Sequence, residues 1–302
     1  MSDVLIRACS FVAIILLGYV LKKVGLFKDA DFPILSNVVM KITFPAAIIT
    51  SLSGRQIEPS MLVLLPLASC CGLFYMLVAA LINLRSSKEQ RAFDILNLPG
   101  YNIGNFSMPF VQSFLGPTGV IAAGIFDMGN AAITLGTAYG VASAVKTGAK
   151  FSFKRVLKAL GTSVPFLTYM SMLLVSLLRI SLPAPVIQFA GIIGNANPFL
   201  AMFMIGVGFK LSGDKSQVKK IVQLLSLRYG FAVLIALLFW FVLPFELEVR
   251  QALVLLAFSP IAAAVPPFTA ELKGDVGLSS AINSVAILCG VISNVILLGI
   301  LL

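Results

Sequence analysis

No histidine occurs in the 302-residue chain. Its absence removes imidazole proton relays, histidine metal sites and histidine-based nucleophilic triads. Charge is scarce as well: Asp, Glu, Lys and Arg make up 11% of the residues, against about 25% in a soluble domain. The four cysteines, Cys9, Cys70, Cys71 and Cys289, all fall inside apolar runs. Disulfides are therefore not expected, and the adjacent Cys70 and Cys71 read as small buried residues, not as metal ligands. There is no phosphate-binding Gly-x-x-x-x-Gly-Lys-Ser/Thr loop, so ATP hydrolysis of that kind is excluded. His-Glu-x-x-His and Gly-x-Ser-x-Gly are also missing, which removes the common hydrolases. No connection is long enough for a catalytic domain. Lys22 and Lys23 follow the first apolar run instead of preceding it, so the start does not read as a cleaved signal peptide.

What is there is apolar. Hydrophobic residues reach 59% and the mean hydropathy is +1.02. The period-2 alternation of a membrane barrel is absent, and an open sheet cannot span lipid. The chain is therefore read as an all-α membrane protein. A helix needs about 20 apolar residues to cross. That ruler gives ten spans: 4–21, 32–52, 60–84, 92–115, 118–143, 156–178, 186–209, 221–243, 250–271 and 276–302. Pro165 in the sixth span and Pro198 in the seventh predict bends there.

The formal net charge of +10 would suggest nucleic acid in a soluble protein. Here the basic residues sit between apolar segments and read as topology signals, so no nucleic-acid partner is expected. With the N-terminus outside, the inner connections hold clusters such as Lys146, Lys150, Lys154, Arg155 and Lys158, and Lys210, Lys215, Lys219 and Lys220. The outer side holds only Arg7, Arg55, Arg179 and Arg250. This positive-inside asymmetry puts both termini on the extracytoplasmic side. The longest polar connection divides the chain into a first five-helix repeat, 1–145, a cytoplasmic linker, 146–155, and a second five-helix repeat, 156–302. Five is odd, so the repeats are inverted. Pro109, Gly116 and Gly119 recur as Pro267, Gly274 and Gly277 at a shift of 158, and Pro45 recurs as Pro198 at a shift of 153.

Two spans, the fourth and the ninth, carry helix breakers in corresponding places. The first break is Asn97 to Pro109, with Pro99, Gly100, Gly104 and Pro109; Asn102, Asn105 and Ser107 add polar side chains to it. The second is Ser259-Pro-Ile-Ala-Ala-Ala-Val-Pro-Pro267, with Pro260, Pro266 and Pro267. A broken span is tolerated only inside protein or beside a watery cavity. Matching breaks in two halves point to a transporter's binding site. Pro109 and the pair Pro266-Pro267 can each start a second half-helix. Its free N–H groups and partial positive charge favour an anion. Packing kinks are the bland alternative.

Asp127 is the only acid well inside a span, and such groups are functional by default. Asn130 and Thr134 share its helical face. Asp127 is either a proton-carrying or cation-coordinating group, or half of a buried structural pair. Lys41, halfway through the second span, can pair with Asp127, attract an anion or snorkel to the inner edge. Ser280, Asn283 and Ser284 form the counterpart stripe in the tenth span, for substrate or for interhelical hydrogen bonds. Asn195 and Asn197, before Pro198, either cap a bend or face a pocket.

At these residues the chain resembles the auxin efflux carrier family in its short bacterial form, within the bile-acid symporter and sodium–proton antiporter-like superfamily. Thr43-Phe-Pro-Ala-Ala47 is similar to the family's Leu-Pro-Ala pattern. Asn102 to Pro109 resembles its first crossing segment, Gly129-Asn130 its polar pair in the fifth span, and Ser259-Pro260 with Pro266-Pro267 its second crossing. The resemblance implies ten helices in two inverted repeats. Spans 1, 2, 6 and 7 would form a scaffold; spans 3–5 and 8–10 would form a transport domain that moves as an elevator, in many relatives within a homodimer. It implies an organic anion as substrate, auxin-like or malate- or malonate-like, with Asn102 and Asn130 on its carboxylate. Lys41 departs from the neutral residue common at that place in relatives.

The expected function is secondary transport or facilitated passage of a small organic anion in a bacterial plasma membrane. The expected site is Asn102, Gly104, Asn105, Pro109, Asn130, Pro260, Pro266, Pro267 and Asn283, with Asp127 and Lys41 balancing charge or handling a proton or sodium ion. Neither a cofactor nor a metal nor a catalytic residue is expected; the other partners are membrane lipid and a second copy of the chain. One rival is a membrane sensor that binds a small acid without moving it. Another is an intramembrane enzyme pairing Asp127 with Lys41 or Asp94.

Overall fold

A computed structural model describes residues 2–209 and 217–302, with side chains from residue 6 onward. Lys210 and Lys215 of the expected inner cluster lie outside the described residues. The chain is 81% helix, with no strand among the described residues.

The first half runs α1 (Ser2–Lys23), α2 (Phe32–Val38), α3 (Phe44–Leu52), α4 (Leu64–Ile82), α5 (Lys88–Asn97), α6 (Met108–Phe114), α7 (Pro117–Ala132) and α8 (Ala138–Thr147). The second runs α9 (Phe153–Thr162), α10 (Val164–Leu177), α11 (Ala184–Gly194), α12 (Asn197–Gly208), α13 (Val218–Phe241), α14 (Leu247–Ala257), α15 (Val265–Glu271) and α16 (Val276–Leu301). Three wide π-turns, Val39–Thr43, Ile103–Ser107 and Ile133–Thr137, join α2 to α3, lead into α6 and join α7 to α8. The first two run into Pro45 and Pro109, which lack an N–H, and such turns gather at functional sites.

Among the described residues, six helical stretches are long and apolar enough to cross a membrane: Asp29–Leu52, Pro59–Ile82, Pro117–Thr147, Ala184–Gly208, Val218–Phe241 and Val276–Leu301. A seventh is the pair α9–α10, bent by 79° at Ser163. Length and apolarity alone therefore do not reach the ten spans expected from the sequence. The expected fourth and ninth spans fall on α5–α6 and α14–α15, whose ladders are cut; the first falls on α1. The sixth span was expected to begin at Val156, but the bend removes residues 156–162 from the line of α10. Ser163 caps α10 by accepting from the Phe166 N–H, and Pro165 fills its first turn, so the helix restarts there in a new direction.

Two packing groups are visible. α1 lies along α12, α3 along α10 and α11, and α12 also meets α2. In the other group α4 packs on α7, α5 on α8, α14 on α7 and α13, and α15 on α16. Gly129 permits the closest approach of α7 to α4: a Cβ there would run into the Leu65 carbonyl. α6 and the π-turn before it sit between the groups, touching α12 on one side and α14 or α7 on the other.

Candidate functional site

The two cut helices meet where both are unwound. α5 stops at Asn97 because Pro99 lacks an N–H and Gly100 takes φ +81°, a left-handed conformation that suits glycine. α14 stops at Ala257, just before Pro260. The freed backbone groups find partners across the meeting point. The Asn102 N–H donates to the Pro260 carbonyl at 2.9 Å. The Ser107 and Ser259 hydroxyls are hydrogen-bonded at 2.5 Å. Asn130 accepts the Tyr101 N–H on Oδ1 at 2.9 Å and returns Nδ2 to the Tyr101 carbonyl at 2.8 Å.

The largest share of the freed carbonyls goes to Arg228 of α13, which is 1% exposed. Its Nη1 donates to the Leu98 carbonyl at 2.7 Å, and its Nη2 to the Gly100 and Ser259 carbonyls, each at 2.8 Å. The Pro260 carbonyl, 3.2 Å from Nη2, also takes the Asn102 N–H. These carbonyls follow the C-terminal ends of α5 and α14, where a helix dipole is negative. A planar, permanently charged fork suits several acceptors at once. The Tyr75 and Tyr101 rings lie 5.5 and 5.1 Å from the guanidinium carbon, within cation–π range. No carboxylate pairs with Arg228 among the described residues.

A cavity of about 310 Å³ adjoins the crossing, lined among others by Pro266, Pro267, Ser280 and Asn283. A smaller one of about 110 Å³ has Asp127, Asn130, Thr134 and Tyr169 in its wall. Asn102 and Asn105 line both. They are only 6% and 8% exposed, and the Asn105 Oδ1 has no hydrogen-bond partner. The Tyr169 hydroxyl is buried and equally unpartnered. The two amides can donate through Nδ2 to a carboxylate, and so can the Tyr169 hydroxyl, whereas the Asn105 Oδ1 can only accept and calls for a donor.

The expected residues are thus distributed as follows. Asn102, Gly104, Asn105, Asn130 and Asp127 gather on the smaller cavity, and Pro266, Pro267 and Asn283 on the larger. Asn283 donates to the Ala262 carbonyl of the second unwound stretch at 3.4 Å, as Asn130 does to the first at Tyr101. Pro109 is buried in the first turn of α6 and lines neither cavity. The half-helix expected to begin at Pro109 is entered earlier, through the π-turn from Ile103, with Asn102 at its N-terminal end. Pro260 acts through its carbonyl. Lys41 is exposed on the π-turn between α2 and α3 and lines neither cavity. Asp94 pairs with Lys220 at 2.5 Å and takes a bond from Asn83, away from Asp127. Asn197 is buried between Thr43 and Gln112, whereas Asn195 is exposed. Arg228 was not singled out from the sequence, although an arginine inside the apolar run 221–243 carries the same signal as Asp127.

Residues 4–151 match a family model described as membrane transport protein. No curated protein matches the chain.

Proposed function

The chain belongs to the auxin efflux carrier family of membrane transport proteins, and on that premise we propose that it is a secondary carrier or facilitator of a small organic anion. The observation that carries this reading is the meeting of two interrupted helices, with Asn102 and Asn105 shared by two cavities. A solute held by these two amides can be reached from either cavity. The N-terminal end of the half-helix at Asn102 adds partial positive charge, and the unpaired Arg228 adds a full one. Both favour a mono- or dicarboxylate. Asn130 and Asn283 hold the unwound backbone in place, and Asp127 in the smaller cavity handles a coupling proton or sodium ion.

Ten crossings follow if α1 and the two interrupted segments each traverse the bilayer beside the seven stretches described above. The two packing groups correspond to the expected scaffold and transport parts, and sliding of one past the other gives an elevator motion. The membrane is a bacterial plasma membrane with both termini outside, and the scaffold is the surface for a second copy.

Anion flux into proteoliposomes tests this reading. Asn102→Ala and Asn105→Ala should each lower flux of the best substrate from a mono- and dicarboxylate panel by tenfold or more, on the order of a lost charge-assisted hydrogen bond. Undiminished flux in both removes the site. A sensor would bind the same acid, read by thermal shift, and move none of it.

A further inference from the structure

The sharp bend between α9 and α10 leaves a ten-residue helix, Phe153–Thr162, lying almost across the direction of the span that follows it. Its faces are sorted. Val156 is buried against Gly136, and Arg155 reaches Glu271 at 2.9 Å and stacks 3.8 Å from the Tyr139 ring centroid. That side belongs to the protein. Phe153 and Leu157, one turn apart, are 65% and 54% exposed. Next to them around the helix come Lys154 and Lys158, preceded by Lys150; all three lysines are exposed and have no ion-pair partner among the described residues. In water, two bare apolar side chains beside such a stripe would be unfavourable. At a bilayer surface the same arrangement is that of an interfacial helix, with apolar residues in the acyl boundary and lysines at headgroup level.

We infer that α9 is a binding site for anionic phospholipid, with Lys150, Lys154 and Lys158 on headgroup phosphates and Phe153 and Leu157 among the acyl chains. The inference rests on the chain spanning a membrane and is independent of what it carries. Charge complementarity selects the occupant: three unpaired cations of one sign beside an apolar stripe fit a negative headgroup with its tails. The bound lipid sits at the hinge whose Ser163 and Phe166 form a wall of the smaller cavity.

The test compares the affinity of the purified full chain, in neutral detergent, for phosphatidylglycerol and for phosphatidylcholine. Each lysine near an anionic surface contributes about fivefold, so the preference for phosphatidylglycerol should be on the order of a hundredfold at low salt. It should shrink as salt is raised. Changing all three lysines together, Lys150→Gln, Lys154→Gln and Lys158→Gln, should abolish it, and Lys154→Gln alone should cost about fivefold. These are exposed positions, so folding is not at stake. A wild-type chain without preference, or a triple variant that keeps it, overturns the site. Inorganic phosphate that competes as well as the lipid at equal concentration also overturns it, because the site would then be for free anions.

Discussion

Asn130 grips Tyr101 by both sides of its backbone: one amide group accepts the Tyr101 N–H and donates to the Tyr101 carbonyl, at 2.9 and 2.8 Å. A side chain on an intact helix thereby stands in for the missing ladder of its unwound neighbour. Asn130→Ala leaves both groups buried without partners, at about 1–3 kcal/mol each. Thermal or denaturant unfolding in detergent should show a loss of about 2–6 kcal/mol. A variant as stable as the wild type would mean that the clamp carries no weight.

Arg228 should be the most sensitive position in α13. Arg228→Met removes the donor of four buried carbonyls at once. The loss should be about 3–5 kcal/mol, because several buried carbonyls lose their donor at about 1–3 kcal/mol each. Arg228→Lys keeps the charge but not the fork, and should fall between. Equal unfolding temperatures for Arg228→Met and wild type would refute the tether.

Gly100 combines φ +81° with a neighbour, the Thr134 methyl, in the way of any Cβ. Gly100→Ala should cost about 1–2 kcal/mol for the left-handed backbone alone. The Gly161→Ala control sits where nothing crowds the Cβ, on a surface helix. It should be neutral or stabilising, by up to about 1 kcal/mol. Unfolding curves of the two variants side by side decide the point.

Asp127 accepts one bond from Asn130, at 3.1 Å, in the wall of the smaller cavity. If it carries the coupling proton, Asp127→Asn flux should become independent of pH while the wild type still responds. If it coordinates sodium, the variant should lose sodium activation at every pH. A variant that keeps the wild-type response to both ions assigns Asp127 a structural place only.

The helical class, the apolar spans and both interruptions were legible because each rests on local chemistry. Pro99, Gly100 and Pro260 interrupt the ladder where they stand, and Pro266 and Pro267 suit the first turn of the helix that restarts. The same logic placed Asn102, Asn105 and Asp127 at a cavity, since polar groups in a lipid-spanning segment must turn inward. What could not be read is pairing across the fold. Nothing near Asn130 in sequence says that its amide is used on Tyr101. Lys41 and Asp127 are both isolated charges within spans, yet Lys41 lies on the exposed side of its turn and joins neither cavity. A charge count over loops also hides a cation within a span, and Arg228 was lost that way. The bend between α9 and α10 rests on the cap at Ser163 and on Pro165, which a hydropathy window averages away.

The tether from Arg228 to Leu98 and Gly100 joins residues 130 and 128 positions apart. During synthesis the first interruption therefore leaves the ribosome long before the residue that completes it exists. Until α13 follows, those carbonyls must be hydrated or held by the insertion machinery. Maturation of this protein is accordingly a late event, governed by when its second half arrives.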